Sequence, residues 1–247
     1  MLIFDLIPDA DVLLNLAPEE LAYPLLQVAE SNLQSRMVHR DRIVSTDGPP
    51  FSQVRPYERQ EEEVRLALTE ALMWLEVNAI LLPAVGTNGN SGWRVLGRRA
   101  RGLLDREQFD NFRSASLFPK ALLHPAIADR VWIALARGDL SDAVFIAFRA
   151  VEEAVRAAGG FRDTDVGVVL MRSALNPDNG PLTDTTQPTA EREALAALFA
   201  GAIGSYKNPH SHRTVTITDH LEAQEMVMLA SHLLRIVDSR LRRAGGT

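Results

Sequence analysis

Between Asp139 and Gly160 the chain places Val144, Ala147, Phe148, Val151, Ala154, Val155 and Ala158 at helical spacing, and Gly159-Gly160 closes the run. That spacing gathers the side chains on one face of an α-helix, and the two glycines supply a stop. An apolar face of this length is stable only when other elements cover it. Candidates follow and precede it. Ile127 to Arg137 reads as a short helix, and Val166 to Leu175 as another, stopped by Asn176-Pro177. Thr189 to Tyr206 carries Leu195, Leu198, Phe199, Ala202, Ile203 and Tyr206 on one side. His220 to Arg243 opens on Asp219 with Glu222 three residues on, a capping-box pattern, and ends on Arg240, Arg242 and Arg243 at the negative helix end. Its Met226, Leu229, Leu233 and Val237 read as core or dimer interface. Helices joined mostly by short loops predict a helical bundle.

The first part of the chain is patterned differently. Pro18 to Leu33 and Glu58 to Val77 read as helices, the second with Val64, Leu68, Ala71, Leu72 and Leu75 on one face. Ala79 to Val85 reads as a short strand, Gly86 to Gly92 as a turn around Asn88-Gly89, and Trp93 to Leu96 as a second strand. Arg98 to Arg106 then reads as a short basic helix. Helix, strand, glycine-rich turn and strand resemble the second half of a winged helix-turn-helix domain. The prolines between Leu117 and Pro125 mark the expected boundary, giving domains 1–120 and 121–247. The fold class expected is mainly α: a C-terminal helical bundle preceded by a winged-helix-like α+β domain with a small β-hairpin.

Composition narrows the chemistry. The 247 residues contain no cysteine, which excludes disulfides, thiolate catalysis and cysteine zinc sites, and fits a reducing compartment. No apolar run approaches the roughly 20 residues that span a bilayer, and the acidic N-terminus lacks signal-peptide character. A cytoplasmic protein with no membrane partner is expected. The net charge of −6 argues against a general nucleic-acid coat, so contact with a polyanion needs a local patch.

One such patch is Tyr206-Lys-Asn-Pro-His-Ser-His-Arg213, between the last two long helices. Pro209 is expected to break the preceding helix, turning the group outward at a bundle end. Lys207 and Arg213 suit phosphate oxygens, and His212 titrates near neutrality, where it can take or give a proton at a ribose hydroxyl. A phosphodiester fits this set without metal. Glu152 offers two roles: pairing with Arg156 along its own helix, or orienting Lys207 or His212. Zinc on His210, His212 and His220 finds no supporting carboxylate or ligand spacing, and His39, His124, His220 and His232 read as structural or surface residues. A second patch, Arg94, Arg98, Arg99 and Arg101, is a candidate nucleic-acid contact. It is opposed by Glu58, Glu61, Glu62 and Glu63 on the helix that would enter a groove. No glycine-rich nucleotide loop is present, so no cofactor is expected.

Phe148-Arg-Ala-Val-Glu-Glu-Ala-Val155, Gly201-Ala-Ile-Gly-Ser-Tyr-Lys-Asn-Pro-His-Ser-His-Arg213 and Leu229-Ala-Ser-His-Leu-Leu-Arg-Ile-Val-Asp238 resemble the signature blocks of the Ymh-type bacterial family, over roughly Leu122 to Arg243. Lys207-Asn-Pro-His-Ser-His212 also resembles the Arg-Asn-x-x-x-His motif of HEPN ribonucleases, with which Ymh-type proteins are grouped. This resemblance implies a HEPN-like bundle, metal-independent RNA cleavage at a site shared in a homodimer, and an antiphage or toxin–antitoxin setting with a partner protein. Asn208 and His212 carry over as the motif pair, with Lys207 in place of the usual arginine and His210 and Tyr206 beside them. Lysine is a point charge without the bidentate fork. A non-catalytic dimerising regulator that binds nucleic acid is the alternative, and a nucleotide sensor using the same cationic site is a third.

Overall fold

The computed structural model describes residues 1–48, 57–209 and 216–244. It is mainly helical, with one small antiparallel sheet. The chain divides into two compact units, Met1–Asp110 and Asn111–Thr247, so the division falls ahead of the 120/121 boundary expected from the prolines. The reason is a helix absent from the sequence reading, α7 (Arg106–Leu117). Its Phe109 is buried against Tyr23 and Trp74 in the first unit.

In the first unit, α1 (Ile3–Leu6) and α2 (Ala10–Leu14) lead into α3 (Pro18–Ser31). Pro18 starts α3, and the Glu20 carboxylate returns to the Ala17 N–H, satisfying one of the orphan donors of the first turn. β1 (Met37–His39) and the short α4 (Arg40–Ile43) precede α5 (Glu61–Val77). The face of α5 expected from periodicity (Val64, Leu68, Ala71, Leu72, Leu75) is the face it buries, chiefly against α3. β2 (Leu81–Pro83), the single turn α6 (Thr87–Asn90) and β3 (Trp93–Leu96) make the expected hairpin, though its first strand is shorter than Ala79 to Val85. β1 pairs with the other edge of β3, giving the order β1-β3-β2. The basic helix expected over Arg98 to Arg106 is replaced by turns and one 3-10 turn at Gly102–Leu104.

The second unit is a bundle of α8 (Pro125–Arg137), α9 (Leu140–Gly159), α10 (Gly167–Ala174), α11 (Thr189–Ala202) and α12 (His220–Ala244). α9 is the central element. Leu140, Ala143, Val144, Ala147, Phe148 and Val151 are all buried, and its largest interfaces are with α12 and α8. Gly160 ends α9 in the left-handed region at φ 68°, where a side chain would be strained. Asp219 Oδ1 accepts from the Leu221 N–H at the start of α12, but Glu222 makes no return bond among the described residues, so only half of the expected capping box forms. The long loop at 176–188 is held inward: Leu182 is buried, and Asp184 pairs with Arg240 at 2.7 Å.

Tyr57 ties the start of the chain to the first unit. Its hydroxyl donates to the Ile7 carbonyl and its ring meets Phe4 edge-on at 6.2 Å. Burial, with a smaller push from the Asp5 carboxylate, raises the phenol to about 12. The folded chain therefore holds this proton more tightly than the unfolded chain, whose phenol titrates near about 10. The stabilisation is complete below the unfolded value and is lost as pH rises through the folded one. Denaturant unfolding across that alkaline window should show stability falling with pH in wild type and a flatter profile in Tyr57→Phe. Equal slopes in the two proteins would refute the assignment.

Candidate functional site

A carboxylate inside the apolar face of α9 organises the second unit's polar cluster. Glu152 lies between buried Val151 and Val155 and follows Phe148 by one helical turn, so helical geometry carries it inward with them. Its side chain is only 5% exposed, and a charge there must be met by partners. Three meet it. The Arg156 guanidinium stands 3.0 Å from Oε1, the Lys207 ammonium 3.3 Å from Oε2, and the Gly167 backbone N–H donates to Oε2 at 2.7 Å. Arg156 also donates to the Asp165 carbonyl at 3.0 Å, which fastens the turn before α10. Both roles expected of Glu152 are thus present at once: it pairs along its own helix and it orients Lys207.

Lys207 reaches Glu152 because α11 does not end as the sequence suggests. Residues Ile203–Lys207 form a π-helical turn, and Asn208 keeps a helical backbone at φ −61°, ψ −42°. Pro209 was expected to break the helix before this point. Instead the residues ahead of it widen, since the proline ring would clash with the carbonyl of Ser205 and has no N–H to offer it. Tyr206 stacks on Phe148, with ring centroids 5.1 Å apart at 30°, which fixes the turn against α9. Lys207 is accordingly not turned out to solvent: its side chain is 15% exposed.

Asn208 lies beside Gly167, the residue whose N–H meets the same carboxylate. A Cβ built on Gly167 would stand 3.6 Å from Asn208 Oδ1 and 3.7 Å from Nδ2. Gly167 itself is at φ 66°, a conformation that points its N–H at Glu152 and favours glycine. Lys207, Asn208, Glu152, Arg156 and Gly167 therefore form one assembly. Beside it runs a groove of about 460 Å³ lined by Val168, Arg172, Ala196, Ala197, Ala200 and Gly201. Asp165 completes the turn. The Arg162 backbone N–H donating to its carboxylate, helped by the Arg162 guanidinium, holds that carboxyl below its usual range. His210, His212 and Arg213 lie outside the described residues, directly after the assembly in the chain.

The basic run of the first unit separates into different fates. Arg94 is buried, with its guanidinium bound to Glu76 at 2.5 Å and to the Gly89 and Trp93 carbonyls, so it braces the hairpin and is withdrawn from a surface role. Arg98, Arg99 and Arg101 are exposed. Of the scattered histidines, His39 Nε2 meets the Ser91 carbonyl and His124 caps α8 and contacts Asp238 at 2.9 Å, while His232 is exposed and His220 Nε2 is buried without a hydrogen-bond partner among the described residues. No group of three potential metal ligands occurs among the described residues.

Arg156, Gly167 and Arg172 were not singled out as site residues by sequence reasoning. The signal for Arg156 was present, a cation four residues after a carboxylate on the buried stripe. Nothing local marked Gly167 or Arg172, because only the packing of α10 on α9 and α11 brings them to the cluster.

The structure thus defines a protein of two compact units whose helical second unit carries a buried carboxylate–dication cluster at one turn. The family model described as "Protein of unknown function (Hypoth_ymh)" matches residues 121–237, and the match supports the Ymh family for this part of the chain. No curated protein and no solved structure matches. No described helix is long and apolar enough to cross a membrane.

Removing the Glu152 charge leaves two cations facing each other with little water. Glu152→Gln, which keeps an acceptor for Gly167, should lower the unfolding free energy by on the order of 3 kcal/mol, followed by helical circular dichroism in urea. Adding Lys207→Met should recover part of that loss, the mark of a direct coupling. Additive effects of the two changes would disprove it.

Proposed function

We propose that the chain is a metal-independent ribonuclease of HEPN type, acting in the cytoplasm as an antiphage or toxin-type effector. The observation that carries this reading is the ion pair by which Glu152 positions Lys207, with Asn208 beside Gly167, immediately before the histidine segment. Lys207 shares the Glu152 carboxylate with Arg156, and an ammonium held at this turn is the kind of group that draws a phosphodiester. The exposed Arg172 groove extends the same positive character.

Cleavage would follow from an RNA phosphate seated against Lys207, with Asn208 donating to a non-bridging oxygen. His212 would remove the proton from the adjacent ribose 2′-hydroxyl, and that oxygen would attack phosphorus. The bond to the 5′-oxygen breaks and that oxygen takes a proton from water, leaving a 2′,3′-cyclic phosphate and a 5′-hydroxyl, while His212 later returns its proton to solvent. His210, Arg213 and Tyr206 stand next to these groups in the chain and complete the site. A second copy of the second unit, joined as a homodimer, would bring two such segments together, and a partner or antitoxin protein would restrain them.

The winged-helix reading of the first unit is supported by its order of elements, with a helix, β1, helices, and then a hairpin whose β3 pairs with β1. α5 is acidic at its start, at Glu61, Glu62 and Glu63, which favours a regulatory or tethering role over insertion in a DNA groove.

Total RNA incubated with wild type in EDTA should be cut to fragments ending in cyclic phosphate, and His212→Ala should abolish the cutting. Loss of authentic activity in EDTA, or 3′-hydroxyl ends, would refute the mechanism. Lys207→Arg should retain activity, since arginine supplies the same charge with an added fork. Lys207→Met should reduce kcat/KM by about 10²-fold or more, in line with loss of a transition-state cation. If Lys207→Met cleaves at the wild-type rate, the phosphate role of Lys207 is wrong.

A further inference from the structure

The first unit contains a cavity of about 810 Å³ that the ribonuclease reading does not use. Arg36, Arg98 and Arg101 line it, brought there from the β1 hairpin and from the turns after β3. None of the three side chains has an ion pair or hydrogen bond with another group among the described residues. On a chain where acidic residues outnumber basic ones, three unanswered guanidinium groups around one concavity are an anion site in waiting.

The backbone gives a second, independent sign. Gln34 and Met37 exchange hydrogen bonds at 2.7 and 2.9 Å across a two-residue turn, with Ser35 at φ 49° and Arg36 at φ 70°. Turns of this hand favour Asn-Gly, because L side chains are strained there. A glycine at position 36 would relieve the strain, yet an arginine stands there, among the residues that line the cavity. Strain retained where a side chain is needed points to a binding role.

The remaining lining sets the ligand class. Leu33, Leu96 and Leu104 provide an apolar floor, and Glu30, near the carbonyl end of α3, adds one acceptor. Phosphates suit the arginines, a planar apolar body suits the leucines, and hydroxyl or amino donors suit Glu30 and the negative helix end. The volume lies within the range typical of small-molecule sites, about 300–1,000 Å³. We propose that this cavity binds a ribonucleotide, making the first unit a nucleotide-responsive module. Binding itself does not depend on the ribonuclease reading.

The test is calorimetry and thermal shift on the full chain with the four ribonucleoside triphosphates, their monophosphates, the nucleosides and pyrophosphate. At least one ribonucleotide should bind and raise the melting temperature, with its nucleoside and pyrophosphate at least about tenfold weaker. Arg98→Gln with Arg101→Gln should weaken it by on the order of tenfold or more per guanidinium. Arg36→Gly should weaken binding while raising the melting temperature of the free protein, so loss of binding there is not loss of fold. Lys207→Met should bind as wild type does, which separates this site from the one in the second unit. The proposal fails if no ribonucleotide binds at millimolar concentration, or if pyrophosphate binds equally well. It also fails if only RNA oligomers bind, or if the arginine variants leave binding unchanged.

Discussion

A carboxylate carried into an apolar helix seam has to be answered by cations and N–H donors, and the second unit is arranged around that requirement. Glu152 occupies a position that periodicity reserves for a core side chain, and Arg156, Lys207 and the Gly167 N–H converge on it. Each partner comes from a different place: α9 itself, the turn after α11, and the start of α10. One buried charge therefore fixes the mutual positions of three helices. Apolar packing of Phe148 and Tyr206 supplies the cohesion, but it is indifferent to register in a way that the ion pairs are not.

The first unit uses the same device with the opposite sign. Arg94 sits on the central strand β3 and is buried, and Glu76 near the end of α5 answers it. The pair holds the hairpin to the helix that precedes it. What is left outside that brace, Arg36, Arg98 and Arg101, is the charge available for a ligand. In both units the surface proposed for function is what remains after structural pairing has taken its share.

Much of the architecture could be read directly from residue spacing. The stripe from Val144 to Val155 and the buried face of α5 follow from period alone, because burial imposes that period wherever one face is covered, while the strand at Trp93 was legible from the turn before it. The misses have equally physical causes. β1 is three residues long and closes through Ser35 and Arg36, which lack the glycine that signals such a turn. α7 is short, and its buried residues Phe109, Phe112 and Ala115 were masked by the basic run before it. At the candidate site, Glu152 and Lys207 were legible as chemistry but not as neighbours, since the π-turn that joins them has no compositional marker beyond Pro209. Arg172 and Gly167 depend on how α10 packs, which no local pattern encodes.

The widened turn at Ile203–Lys207 has a consequence for how this chain can vary. A π-turn is an α-helix with one residue too many, so deleting any one of those five residues would let the helix close up into regular form. Everything downstream would then rotate by about 100° around the helix axis. Lys207 and Asn208 would swing off the seam, and Glu152 would keep Arg156 and the Gly167 N–H but lose its second cation. Length, at this point of the chain, is as much a part of the site as identity, and an alignment gap there separates chains that can hold this geometry from those that cannot.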